Sequence, residues 1–142
     1  MEIEILKKTD IDKTVQLQIS QLYKQLNADI RQRPLHQILQ EDNHVTVAAC
    51  KIDKKIVGIA LLATYKVISG HRGIVEDVVV DSEYRQKGIG RQLMEKLLVE
   101  ARHQSLDGIL LFSGHHRKPA IRLYQSLGFS MRESGVYTLK FT

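Results

Sequence analysis

The residues best suited to chemistry lie between Glu76 and Arg91. Arg85-Gln86-Lys87-Gly88-Ile89-Gly90-Arg91 places three cations and two glycines ahead of the strongest helical pattern in the chain. The first N–H groups of a helix lack partners within it and sit at the positive end of its dipole, and glycine lets an anion approach the main chain. Such a loop suits a phosphate. No stretch fits the nucleoside-triphosphate pattern G-x-x-x-x-G-K-S/T, and the dinucleotide pattern G-x-G-x-x-G fails because its third glycine would stand at Leu93. The competing account is a glycine turn with solvated charges. Just upstream, Ile74-Val75-Glu76-Asp77-Val78-Val79-Val80 reads as a strand buried on both faces with two carboxylates in its middle. At period two, Glu76 points with Ile74, Val78 and Val80, and Asp77 points the other way. A carboxylate among apolar neighbours holds its proton more tightly, which suits a general base; an ion pair with a nearby Arg or Lys is the alternative. For Asp77 a structural role is expected.

These groups need elements to position them. Ile3 and Ile5 alternate with Glu2 and Glu4 as in a short strand, and Thr9-Asp10-Ile11-Asp12 offers a helix cap. Val15, Leu17, Ile19, Leu22, Tyr23 and Leu26 recur at broadly helical spacing, and a shorter helix is expected over 35–40. His44 to Ile52 and Ile56 to Tyr65 read as a hairpin around Asp53-Lys54-Lys55. After the strand 74–80, Ile89, Leu93, Met94, Leu97, Leu98 and Ala101 form one apolar stripe, ended by Asp107-Gly108. Ile109 to Phe112 is then a short strand, Ala120 to Leu127 a helix with Pro119 near its first turn and Gly128 past its end, and Val136 to Phe141 a last strand. The order β-α-α-β-β-β-α-β-α-β predicts a single α/β domain over residues 1–142, with a mixed sheet between helices on both faces. The sheet is parallel where the strand at 74–80 feeds the helix at 89 and returns at 109.

Two stretches resemble the GNAT superfamily of acetyl-CoA-dependent N-acetyltransferases. Val78 through Gly90 is similar to that family's strand followed by Arg/Gln-x-x-Gly-x-Gly/Ala at a helix start. Ala120-Ile121-Arg122-Leu123-Tyr124-Gln125-Ser126-Leu127-Gly128-Phe129 is similar to its Ala-x-x-Leu-Tyr-x-x-x-Gly-Phe. The resemblance implies a mostly antiparallel sheet of about 6–7 strands whose central parallel strands splay apart. It implies that the pyrophosphate of acetyl-CoA lies on main-chain N–H groups of Gln86, Lys87, Gly88, Ile89, Gly90 and Arg91, with Arg85 beside them. The pantetheine arm would pair with the main chain of Val78, Val79 and Val80. Ser82 stands where many members have Pro, and Arg117 where many have Asn, so that Asn contact does not carry over. Arg117 is a candidate for the CoA phosphates or the acceptor instead.

Acetyl transfer from a thioester to an amine needs a neutral amine, a polarised carbonyl and a stabilised thiolate. An alkylamine of pKa about 10 must first lose a proton. The strand His71-Arg72-Gly73-Ile74-Val75-Glu76-Asp77 is similar to that of amino-sugar-phosphate acetyltransferases, which implies Glu76 as general base, directly or through water. The Leu123-Tyr124 match implies Tyr124 as general acid to the leaving thiolate, whereas spacing alone reads it as an aromatic anchor. The Val78 N–H is a candidate to polarise the carbonyl. The implied function is an N-acetyltransferase in which a primary amine of a small molecule (amine, amino acid or amino-sugar phosphate) attacks acetyl-CoA directly. A non-catalytic acyl-CoA sensor and a protein or peptide N-acetyltransferase are the alternatives.

The net charge of +5, from 21 Lys+Arg against 16 Asp+Glu, calls for an anionic partner. Nucleic acid is a poor fit, because 6% aromatic residues and no Trp leave little to stack on bases. The lone Cys50 cannot form an internal disulfide and reads as a small buried apolar residue, so a cytoplasmic location is expected. Met1-Glu2-Ile3-Glu4 lacks a signal-peptide start, and the apolar run 56–65 is far shorter than the roughly 20 residues of a spanning helix, so no membrane association is expected. His115-His116 has neither metal-ligand spacing nor accompanying acids, and no metal is expected. Arg31, Arg33, Lys66, His71 and Arg72 lie in loops where the resembled fold admits an acceptor. The strand 136–141, at a sheet edge, could pair two chains into a homodimer.

Overall fold

Asp53 and Lys54 both adopt left-handed backbone conformations, with φ of 51° and 66°, which is what a two-residue turn between twisted antiparallel strands demands. The turn joins β2 (Val45–Ile52) to β3 (Lys55–Val67), and β3 turns again into β4 (Gly70–Val80). With β1 (Glu2–Ile5) and β5 (Gly108–Leu111) they form one sheet in the order β1-β2-β3-β4-β5, antiparallel except for the β4/β5 pairing. The helices are α1 (Lys13–Lys24), α2 (Leu35–Ile38), α3 (Ile89–His103) and α4 (Lys118–Ser126). This computed structural model describes residues 1–141, which divide into two compact units, Met1–Phe112 and a second beginning at Ser113.

In the first unit the sheet carries helices on both faces. α1 starts where the Asp12 side chain accepts the Val15 N–H, and it buries Ile19 and Leu22 with Leu35 of α2 against Val47, Ala49, Ile59, Leu61 and Val79. On the other face α3 buries Ile89, Leu93, Met94, Leu97 and Ala101, the stripe read from the sequence except for Leu98, which is only half-buried. Gly58 marks the closest approach. A Cβ there would lie 3.0 Å from Ile89 Cγ2 and 3.1 Å from Leu93 Cδ1, tighter than ordinary packing. The β4–α3–β5 connection is the expected parallel crossover.

Two expectations are corrected. The sheet of the described residues has five strands, not six or seven, and Val136–Phe141 is irregular, with Val136, Tyr137, Leu139 and Phe141 all exposed. Alternation makes a segment fit for a sheet, but only a ladder partner makes it a strand, and no ladder among the described residues includes it. A homodimer built through that strand therefore lacks its strand. The second correction concerns period two in β4. Leu61 pairs with Glu76 and Ile59 with Val79, so two residues, Asp77 and Val78, stand opposite Ala60 alone. Asp77 takes φ 53° at this bulge. Glu76 consequently shares a face with Ile74 and Val79 rather than with Val78 and Val80.

Leu93 has no exposed surface, whereas Leu17 on α1 is 58% exposed. Leu93→Ala is expected to cost about 2–5 kcal/mol in denaturant unfolding, and Leu17→Ala within about 0.5 kcal/mol. Equal midpoint shifts would refute the assignment of α3's buried face.

Candidate functional site

β4 holds one neighbour along its whole length and the other only briefly. β3 pairs with it from Gly70 to Val80, whereas β5 pairs only from Arg72 to Val75, opposite Gly108 to Leu111. From Glu76 to Val80 the edge away from β3 meets no strand among the described residues. Backbone groups on that edge point where an added ligand could pair with them. The Val80 carbonyl is engaged locally, accepting from Arg85 Nε at 3.3 Å.

Glu76 opens this stretch and is exposed, not enclosed as the sequence suggested. Its carboxyl is nevertheless held above the ordinary range, first by partial desolvation against the sheet and second by the charge of Asp77. Contact with water limits the size of that effect. Asp77 accepts a hydrogen bond from the Tyr23 hydroxyl of α1 at 3.3 Å. Burial, then Asp77 and Glu76, push the Tyr23 phenol up. The sequence read Tyr23 only as an apolar stripe position. A tyrosine in such a stripe carries a polar tip that seeks a partner, and this was the available signal.

Past Val80, the Asp81 side chain accepts from Glu83 N and starts a single turn over Ser82–Tyr84, while Gln25 of α1 accepts from Ser82 N at 2.9 Å. The loop then enters α3 through two left-handed residues, Gln86 at φ 63° and Gly88 at φ 76°. Gln86 has no glycine's freedom there, and the conformation costs it about 1–2 kcal/mol. Strain of this kind collects where main-chain groups are aimed at a ligand. Gly88 is the N-cap of α3 and brings no capping side chain, so the first N–H groups of the helix are left to another acceptor. Among the cations, Lys87 stands 5.7 Å from the Tyr84 ring centroid, and Arg91 pairs with Glu95 at 2.9 Å. Ile89 is buried and anchors the helix start.

Arg117 and Tyr124 belong to the second unit. Pro119 lies in the first turn of α4, and the helix ends with Gly128 at φ 100°. Phe129 N donates to the Tyr124 carbonyl and Gly128 N to that of Gln125, both at 3.0 Å, the paired bonds of a Schellman C-cap. The cap brings the Phe129 ring edge-on to Tyr124, centroids 6.2 Å apart. The Tyr-x-x-x-Gly-Phe pattern is thus a helix stop with its own aromatic contact, whatever else Tyr124 does. Burial pushes the Tyr124 phenol up, and Arg117 partly offsets this.

Cys50 is fully buried, and burial pushes its thiol up, as expected of a packing residue. Lys66, His71 and Arg72 lie in strands and not in loops as the sequence suggested; His71 N donates to Asp107 Oδ2 and Arg72 lies 5.8 Å from the Tyr65 ring, so both serve the turn end of the β3–β4 hairpin. No group of three or more His, Cys, Asp or Glu among the described residues could hold a metal, and no helix among them is long and apolar enough to cross a membrane.

The sequence model described as the Acetyltransferase (GNAT) family matches residues 11–129. A mycothiol acetyltransferase of Thermobifida fusca (strain YX) is 39% identical over 64 residues, 45% of this chain and 20% of its own. N-alpha-acetyltransferase 30 of Xenopus laevis is 38% identical over 58 residues, 41% of this chain and 21% of its own. The chain thus spans about a fifth of the length of these curated relatives. Among solved structures, an aminoglycoside N-acetyltransferase in complex with CoA superposes with a TM-score of 0.77 at 20% identity, covering 99% of this chain and 100% of that one.

A carboxyl held above its ordinary range favours the fold while protonated. Its contribution is complete below the unfolded value of about 4.3 and is lost as pH rises through the folded value. Glu76→Gln should therefore stabilise the chain relative to the parent at pH 7 and lose that advantage below about pH 4. Denaturant midpoints across pH test this, and a neutral-pH loss of stability would contradict it.

Proposed function

The chain belongs to the acetyltransferase (GNAT) family, and on that premise we propose that it transfers the acetyl group of acetyl-CoA to the primary amine of a small molecule by direct attack. The amine, amino acid or amino-sugar phosphate that receives it fits the cations Arg31 and Arg33 before α2 and Lys66 and Arg72 at the β3–β4 turn, which favour an acceptor bearing an anion. The observation that carries the reading is β4 from Glu76 to Val80: one edge is held by β3, the other meets no strand among the described residues, and the segment leads through the Ser82–Tyr84 turn into the glycine-rich start of α3. That arrangement supports main-chain pairing of Val78, Val79 and Val80 with an amide-bearing arm and a diphosphate seated on Gln86 through Arg91, with Arg85 and Lys87 as counter-charges. A structurally similar aminoglycoside enzyme is known in complex with CoA, which supports CoA as the carrier. The family match runs through 11–129 and so supports treating both units as one catalytic domain.

Glu76 takes the proton of the acceptor ammonium, directly or through water, and its raised proton affinity brings it nearer to that task. The amine nitrogen then attacks the thioester carbon while the Val78 N–H steadies the developing oxyanion. The C–S bond breaks as Tyr124, kept protonated by burial, gives its proton to the departing thiolate and recovers one from the second proton shed by the new amide nitrogen. Arg117 is assigned to the CoA phosphates. A buried free thiol at Cys50 is at ease in the cytoplasm, where we place the reaction. A peptide N-terminus is the second reading for the acceptor, favoured by the N-alpha-acetyltransferase relative.

Thiol release from acetyl-CoA against amines, amino acids, amino-sugar phosphates, aminoglycosides and peptides tests both readings. Glu76→Gln should lower kcat by about 10²–10⁴-fold and Tyr124→Phe by at least about tenfold, with acetyl-CoA still bound. Binding without turnover of any acceptor would make the protein a sensor. Failure to bind acetyl-CoA would remove the proposal altogether.

A further inference from the structure

Carboxylates adjacent in a strand ordinarily point to opposite faces, but the β4 bulge changes that for Glu76 and Asp77. Glu76 lies opposite Leu61, on the face that packs against α1, and Asp77 reaches the Tyr23 hydroxyl of that same helix. Asp77 sits at φ 53°, a conformation that Asp tolerates better than most residues with a side chain. Its carboxylate is thus held from two sides, by the backbone of the bulge and by the phenol 3.3 Å away.

We propose that Asp77 and Tyr23 are positioning residues for Glu76: the bulge turns Asp77 onto the face of the base, Tyr23 fixes its carboxylate there, and the fixed carboxylate orients Glu76. The role rests on the reading of Glu76 as general base. Neither residue has to touch the acceptor or acetyl-CoA. Among the described residues, the titratable groups coupled to Glu76 are Asp77 on its own strand and Tyr23 on α1; Leu61, opposite on β3, carries no charge, and pairing with β5 has ended at Val75. Tyr23 is therefore expected to act through Asp77 and not on Glu76 alone.

The test titrates the Glu76 side-chain carboxyl by ¹³C NMR in the full chain, which needs no turnover, beside the pH profile of kcat/KM. Asp77→Asn keeps the shape and an acceptor oxygen for Tyr23 but removes the charge. It should lower the Glu76 midpoint and move the acid limb of kcat/KM with it, leaving KM for acetyl-CoA within about twofold. Tyr23→Phe should shift the Glu76 midpoint in the parent, leave it unmoved in the Asp77→Asn background, and cut kcat about tenfold by loosening the base. An unmoved Glu76 midpoint in folded Asp77→Asn overturns the proposal while leaving Glu76 as base. A midpoint that moves without any change in the pH profile overturns Glu76 as base, and with it the catalytic meaning of the pair. Should Asp77→Asn fail to fold, Tyr23→Phe decides alone, and an unmoved midpoint there rejects the role.

Discussion

A strand inside a sheet must satisfy its backbone on two sides, and β4 does so on both only from Arg72 to Val75. Beyond that point β5 has ended, while β3 continues to hold the other edge through Val80. Much else at the site depends on this unequal partnership. A parallel partner reached by a helical crossover need not match its neighbour in length, whereas the hairpin strands β3 and β4 are bound to run together. The bulge at Asp77 falls within the part of β4 that has one neighbour, where a distortion breaks one ladder instead of two.

α1 acts as a polar clasp as well as an apolar lid. Gln16 accepts from Leu35 N, Gln18 from Ile56 N and the C-cap residue Gln25 from Ser82 N, so three side-chain amides on α1 and its cap hold backbone N–H groups of three other segments. With Tyr23 on Asp77, the last turns of α1 grip β4 at its bulge and just past its end. Apolar burial sets the depth of the helix, and these directional bonds fix its rotation and register.

What the sequence disclosed followed the physics of local patterning. The stripe Ile89-Leu93-Met94-Leu97-Ala101, the hairpin turn, read one residue too long as Asp53-Lys54-Lys55, and Gly128 at the end of α4 are set by neighbours within a few positions, and were legible. The face of Glu76 was not, because period two carries no mark of a residue at φ 53° opposite Ala60. Nor was the state of 136–141, whose alternation of Tyr137, Leu139 and Phe141 specifies a face but no partner. The glycine loop was legible as the entry to α3, while the left-handed Gln86 within it depends on how α3 is pinned to the sheet. The aromatic pair Tyr124–Phe129 has a folding reason in the C-cap, so its presence in the motif does not by itself argue for catalysis.

Gly58 faces the first turn of α3, where Ile89 and Leu93 lie at 3.0 and 3.1 Å from the place a methyl would occupy. It works as a spacer gauge. The position pairs with Val80, the last residue of β4, so the thickness of one missing side chain sets how far the helix start stands from the end of that strand. Adding a methyl would make the neighbouring side chains yield by a few tenths of an ångström. The glycine-rich start of α3 and the end of β4 are thus held at a common height by an atom that is not there, and a ligand bridging both would read that height along its whole length.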